Sequence, residues 1–275
     1  MNFFKSILTT LLLTSQTQAF LPFAQHHQVS NLVLSSSTAS ITEVNPRLEG
    51  LALLLDDGTR KSHSVAENTA FVQGFFKGLS TQDAYKSLLT SLYFVYGAME
   101  RSFDECDSTE VKILDDDKLR RLESLSTDMT YFYGPEWRND IKPSYYAQKY
   151  VNRIEEVARD KPYLLIGHQY SRYLGDLFGG QMMGSMASKS LSLEKGTGTA
   201  FYSFDDIDNT RDYITEWYTK LNNLDLTQEQ KDEIVDEANL VFDLNIGIFE
   251  ELEGSALKAL WSFSINSIKD KLGMK

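Results

Sequence analysis

His63 and Glu67 stand four residues apart in Arg60-Lys-Ser-His-Ser-Val-Ala-Glu-Asn68, a spacing that puts both side chains on one helical face. A carboxylate so placed can accept an imidazole N–H, fix the tautomer and leave the other ring nitrogen for a metal. The same spacing also occurs as an ordinary surface hydrogen bond. A second segment, Tyr170 to Gln181, sets Gly175, Gly179, Gly180 and one acid, Asp176, inside a stretch that otherwise reads as helix. Glycine inside a helix costs ~0.5–1 kcal/mol relative to alanine. Three within six residues therefore point to a compensating gain. Two gains fit: a bent backbone against which something flat can lie, or close helix packing at small residues.

Five segments in one order resemble the haem oxygenase family. Residues 60–68 look like its proximal-histidine motif, and Ser91-Leu-Tyr-Phe-Val-Tyr96 resembles its second-helix signature. Tyr131-Phe-Tyr-Gly-Pro135 is similar to a family loop, and Arg172 to Gln181 to the distal-helix signature. Asn245-Ile-Gly-Ile-Phe-Glu-Glu-Leu252 resembles the final-helix motif. The likeness runs from about Leu51 to Leu260, and its wording is nearest the soluble cyanobacterial and algal-plastid branch.

That resemblance implies an all-α, single-domain helical bundle with haem between a proximal and a kinked distal helix. It implies haem b, iron protoporphyrin IX, as both cofactor and substrate. The ring would open at one meso carbon to give biliverdin, carbon monoxide and ferrous iron, using O2 and electrons from ferredoxin. Biliverdin would then feed bilin or phytochrome chromophore synthesis, with a bilin reductase as a downstream partner. In the implied roles His63 is the axial iron ligand and Glu67 orients it. Gly175 and Gly179 make the slot. Asp176, with Arg172 and Tyr96, organises water that delivers protons. Tyr170, Tyr218, Phe242, Asn245 and Phe249 complete the haem pocket. A histidine ligand donates less electron density than a thiolate, so it does not push early O–O cleavage. A carboxylate oriented by Tyr96 or Arg172 can hold water without itself reaching the iron.

Two departures stand out. Gapless alignment through Phe201-Tyr-Ser-Phe204 and Leu221-Asn-Asn-Leu224 puts Ile214 and Tyr218 where family members place a lysine and an arginine that pair with the haem propionates. The family's basic residue seven before the proximal histidine falls on Asp56. Tyr218 can still hydrogen-bond a propionate, and Arg60, Arg211 and Lys220 are substitute bases. Phe178 replaces a small polar residue in the distal signature; it packs on the core or crowds the slot. These departures favour an alternative, a haem- or tetrapyrrole-binding relative with little turnover. Joint retention of His63, Gly175, Asp176 and Gly179 favours the oxygenase. A di-iron relative lacks its paired Glu-x-x-His motif here. The other histidine beyond the presequence, His168, is expected on an outward helix face.

The elements needed to position these groups are legible. The chain has 275 residues, 42% hydrophobic and 12% aromatic, enough for one domain with a substantial core. Leu88, Leu89, Leu92, Tyr93, Tyr96 and Met99 form a stripe at helical spacing. Thr227 to Gln230 fits a capping box that opens a helix through Ile234, Ala238, Val241, Phe242, Ile246 and Phe249. Pro22, Pro46, Pro135, Pro143 and Pro162 fall in the presequence or at helix edges, and Gly196-Thr-Gly-Thr199 reads as a loop. Period-2 alternation is scarce, so the expected class is all-α.

A net charge of −12 disfavours nucleic acid and anionic membranes as partners. The single cysteine, Cys106, excludes an internal disulfide and multi-cysteine metal sites. Residues 1–45 hold only Lys5 and Glu43 as charged side chains. Lys5, an apolar run from Ile7 to Leu13, the Ala19-Phe20 junction and an acid-free Ser/Thr stretch resemble a signal peptide followed by a transit-like segment. Such bipartite presequences belong to algae with secondary plastids; ordinary secretion is the alternative. No later apolar run reaches ~20 residues, which predicts a soluble mature protein in the plastid stroma. The expected division is 1–45 targeting segment, 46–260 oxygenase domain and 261–275 tail.

Overall fold

The computed structural model describes residues 45–78 and 81–272, with side chains as far as Glu253. Apart from Asn45, the expected targeting segment lies outside the described residues. Ten α-helices and no strand occur among the described residues. They are α1 (Gly50–Glu67), α2 (Ala70–Phe76), α3 (Gln82–Glu105), α4 (Thr109–Leu114), α5 (Leu122–Tyr133), α6 (Tyr145–Asp160), α7 (Leu165–Gln169), α8 (Gly175–Ser190), α9 (Thr210–Asn222) and α10 (Gln228–Leu272). The all-α expectation holds. No described helix is long and apolar enough to cross a membrane.

Local chemistry explains the boundaries. Thr69, Thr81, Ser108 and Ser144 each accept the backbone N–H of the third residue of the helix they cap. The predicted capping box of α10 forms reciprocally: Thr227 N–H donates to Gln230 Oε1 at 2.9 Å, and Gln230 N–H to Thr227 Oγ1 at 3.2 Å. α10 continues past residue 260 to Leu272, so the expected tail boundary falls within one helix. Tyr131, Phe132 and Tyr133 form the last turn of α5 rather than a loop; the chain leaves the helix at Gly134, whose φ of +85° suits glycine.

The core lies where α3, α6 and α7 pack with α10. The α3 stripe supplies it, with Leu89, Tyr96 and Met99 fully buried. α1 lies along α10, and Gly58 makes the approach possible: a Cβ there would stand 2.4 Å from Val235 Cγ1. Gly167 does the same for α7, with Ala238 N and Ile234 O of α10 each 3.1 Å from its Cβ position.

That close seat corrects the expectation for His168. Every residue of α7 is buried, so no face of this short helix looks outward. His168 Nε2 lies 3.0 Å from Glu237 Oε1, and Arg153 donates to both Glu237 oxygens. Burial works to raise the Glu237 carboxyl, but the bonds from His168 and Arg153 prevail and hold it at about 2. Because the folded value lies below the ordinary 4.5, the stabilisation is complete above pH 4.5 and is lost as pH falls toward 2. Glu237→Gln should therefore cost about 2–4 kcal/mol at pH 7 and less at pH 3. Urea midpoints of both proteins at the two pH values check this; an equal cost at both would contradict it.

Candidate functional site

His63 sits on the last turns of α1, half exposed, with Nδ1 3.6 Å from Glu67 Oε1. The two groups are adjacent as the spacing predicts, but the separation just exceeds hydrogen-bond reach. Burial raises the Glu67 carboxyl and the neighbouring His63 opposes that rise. The imidazole meets Phe242 of α10 edge-on, with ring centroids 5.7 Å apart. Phe249, two turns further along α10, stacks on Phe71 of α2 at 5.5 Å. Both α10 aromatics are only partly buried, Phe242 beside His63 and Phe249 against Phe71.

The distal side is built by α7, α8 and the turn between them. Residues Tyr170–Leu174 form a π-helical turn that joins the two helices. Such turns carry an extra residue and re-aim the side chains around them. The helical irregularity thus directly precedes Gly175, while the glycines lie in regular helix. The glycines themselves divide. A Cβ at Gly175 would meet nothing within 4 Å, so this glycine leaves the helix backbone open to a flat molecule. Gly180 and Gly184 face Tyr202, whose atoms would lie 3.3 Å and 3.0 Å from their Cβ positions. Open space and close packing therefore both occur, at different glycines. Asp128 fixes the loop bearing Tyr202 by accepting the Ala200 and Phe201 N–H groups at 2.8 Å each.

Asp176 is partly buried and is held from two sides. Tyr96 of α3 donates its hydroxyl to Oδ2. Arg172 donates from Nη2 to Oδ2 at 3.3 Å and to Oδ1 at 3.5 Å. Arg172 in turn donates from Nη1 to Asn245 Oδ1 at 3.0 Å, and its guanidinium lies 5.2 Å from the Tyr96 ring centroid. Burial pushes the Asp176 carboxyl well above the usual range. It pushes the Arg172 guanidinium below its own. Ser171 Oγ, Arg172 Nε and Tyr173 Oη are buried with no protein partner. Buried polar atoms are ordinarily satisfied, by ordered water where protein does not serve. Of these, Arg172 Nε belongs to the side chain that holds Asp176, whereas Tyr173 is directed toward Glu100 and Asp115.

Phe242 and Asn245 are three residues apart on α10. This one helix therefore touches His63 through the first and the Arg172–Asp176–Tyr96 group through the second. Tyr170 and Tyr218 gather apart from that group, beside Asp56 and Arg47. Ile214 and Tyr218 are buried in the packing of α9. Arg60 pairs with Asp57 at 2.5 Å and Lys220 with Glu216 at 2.9 Å. Phe178 is 47% exposed, so it does not pack on the core. Arg47 and Tyr202 were not predicted from sequence; both precede or follow the recognisable helices, and no periodic signal marks them. A cavity of about 460 Å³ between α6 and α10, lined by Arg153, Lys161 and Glu233 among others, holds none of the predicted site residues.

The haem oxygenase family profile matches residues 49–251. Haem oxygenase of Guillardia theta is 42% identical over 227 residues, covering 81% of this chain and 95% of that protein. Haem oxygenase 1 of Synechocystis is 42% identical over 219 residues, covering 79% and 91%. The crystal structure of the Synechocystis haem oxygenase-1 in complex with haem superposes with a TM-score of 0.75 at 41% identity, covering 80% of this chain and all of that one. The chain belongs to the haem oxygenase family.

Proposed function

We propose that this chain binds haem between α1 and α8 and opens it oxidatively to biliverdin, carbon monoxide and ferrous iron. The observation that carries the reading is Asp176. It is held by Tyr96 and Arg172 next to Gly175, where a Cβ would meet nothing within 4 Å. When bound, haem supplies the iron that activates dioxygen and the meso carbon that is oxidised. His63 would ligate the iron, and Phe242 would hold the imidazole ring in place. Gly175 and Gly179 would admit the macrocycle against the helix backbone. Asp176, with its carboxyl raised by burial, would exchange a proton with water in the cleft. Arg172 and Tyr96 keep that carboxyl in position, and Asn245 keeps Arg172 in position.

In this reading the electrons come from ferredoxin and the product passes to a bilin reductase for chromophore synthesis. The purified domain, given haem and then reduced ferredoxin or ascorbate, should lose its Soret band and gain the biliverdin absorption. Turnover with a flavoprotein donor but none with ferredoxin would overturn the ferredoxin assignment.

The plastid assignment rests on residues 1–45. A fluorescent fusion of that segment should enter the plastid of an alga with secondary plastids. Phe20→Ala should strand it in an outer membrane compartment. Secretion of both fusions would identify an ordinary signal peptide and remove the support for ferredoxin and bilin synthesis.

A further inference from the structure

The family's basic propionate-facing positions carry Asp56, Ile214 and Tyr218 in this chain, and the residue that compensates comes from a segment the resemblance does not reach. Pro46–Leu48 form a single 3-10 turn ahead of α1. Asn222, at the end of α9, fixes it: Nδ2 donates to Pro46 O at 2.6 Å, while Oδ1 accepts the Ala52 N–H at 2.9 Å. Only a glycine at position 50 allows this. Its φ is +56°, and a Cβ there would stand 2.7 Å from Asn222 Oδ1. Asn45 caps the turn by accepting the Arg47 N–H at 3.1 Å.

So braced, Arg47 lays its guanidinium on α1. Nε donates to Asp56 Oδ1 at 3.2 Å, and Nη2 donates to the same oxygen. The guanidinium carbon lies 5.7 Å from the ring centroid of Phe178 on α8. Tyr170 and Tyr218 are both close enough to couple electrostatically to Arg47 and Asp56. Asp56 precedes His63 by seven residues, two helical turns, so it shares the α1 face that carries the histidine. One guanidinium thus holds this carboxylate at one end of that face, with two phenols near enough to couple to both. The other nearby base, Arg60, is 66% side-chain exposed and spread over Asp56 and Asp57.

We infer that Arg47 is the propionate anchor of this chain, with Asp56 as its positioning residue and Tyr170 and Tyr218 as neutral donors beside it. The inference rests on the proposed haem site. A guanidinium carries five donors in a planar fork and can serve two carboxylates at once. Asp56 keeps the fork aimed at α1 but adds a negative charge that opposes the propionate. The result is an anchor with no net positive charge of its own.

The test is equilibrium titration with iron protoporphyrin IX and with its dimethyl ester, which lacks the propionate charges. Arg47→Ala should weaken binding of the free acid about 5-fold or more and leave the ester unchanged. Asp56→Asn keeps an oxygen acceptor for Arg47 and removes the charge, so it should tighten binding of the free acid by about 2- to 5-fold and again leave the ester unchanged. Opposite signs for the two variants, confined to the free acid, are the expected signature. Equal loss for both porphyrins in Arg47→Ala would make Arg47 merely structural, and no change in either would remove it from the site. Both outcomes overturn the inference while the haem reading stands. Wild-type protein that binds neither porphyrin would overturn the proposed function and the inference together.

Discussion

Asp176→Ala should bind haem with wild-type affinity and a wild-type ligand spectrum, yet lose biliverdin formation by about 10²-fold or more, the range typical of a removed proton-handling group. The side chain touches Tyr96 and Arg172, not the α1 face that carries His63. Its removal should therefore spare binding. It would leave the Tyr96 hydroxyl and the Arg172 guanidinium without their shared acceptor, so water near Gly175 would no longer be held in one arrangement. Protons would then reach the oxygen chemistry without direction, and oxidising equivalents should be diverted to external reductants. Guaiacol oxidation should rise as biliverdin yield falls. Asp176→Asn, which preserves volume but not proton exchange, should resemble the alanine variant in yield. Wild-type biliverdin yield in either variant would sink the role assigned to Asp176.

The second large effect belongs to His63. His63→Ala should abolish the histidine-ligated spectrum and turnover, and added imidazole should restore part of both by filling the space beside Phe242. Because the side chain is half exposed and its contact with Glu67 is loose, the fold should lose no more than about 0.5 kcal/mol. Thermal unfolding of the apoprotein separates the two causes: an unchanged midpoint with a lost spectrum assigns the effect to ligation. A wild-type Soret band and rate in His63→Ala would show that the ligand is another residue.

Much of this site was legible because helices repeat. The i, i+4 spacing placed His63 and Glu67 together, the α3 stripe buried Tyr96, and Thr227 with Gln230 marked the start of α10. The grouping of Asp176 with Arg172 and Tyr96 came from the resemblance of their segments to the family's. What escaped notice depends on long-range packing. His168 looked like a surface residue because nothing local reveals that α10 seats closely against its short helix at Gly167 while other helices cover the rest. The π-turn at Tyr170–Leu174 has no composition of its own; the glycines that drew attention follow it, and one of them, Gly180, faces Tyr202. Arg47 sits before the first long helix, and its meeting with Asp56 depends on Asn222, 175 residues further along the chain. A residue whose role is set by such a brace leaves no periodic trace.

The central claim is that the arrangement around Asp176 directs oxygen chemistry onto the porphyrin itself. A single-turnover experiment tests it most directly. Stoichiometric haem is loaded on the domain, reduced ferredoxin is added under oxygen, and biliverdin and carbon monoxide are both quantified. Equal amounts of the two products, each approaching the haem consumed, are the predicted result. Haem that stays bound and intact through repeated reduction, or that is lost without carbon monoxide, would contradict it.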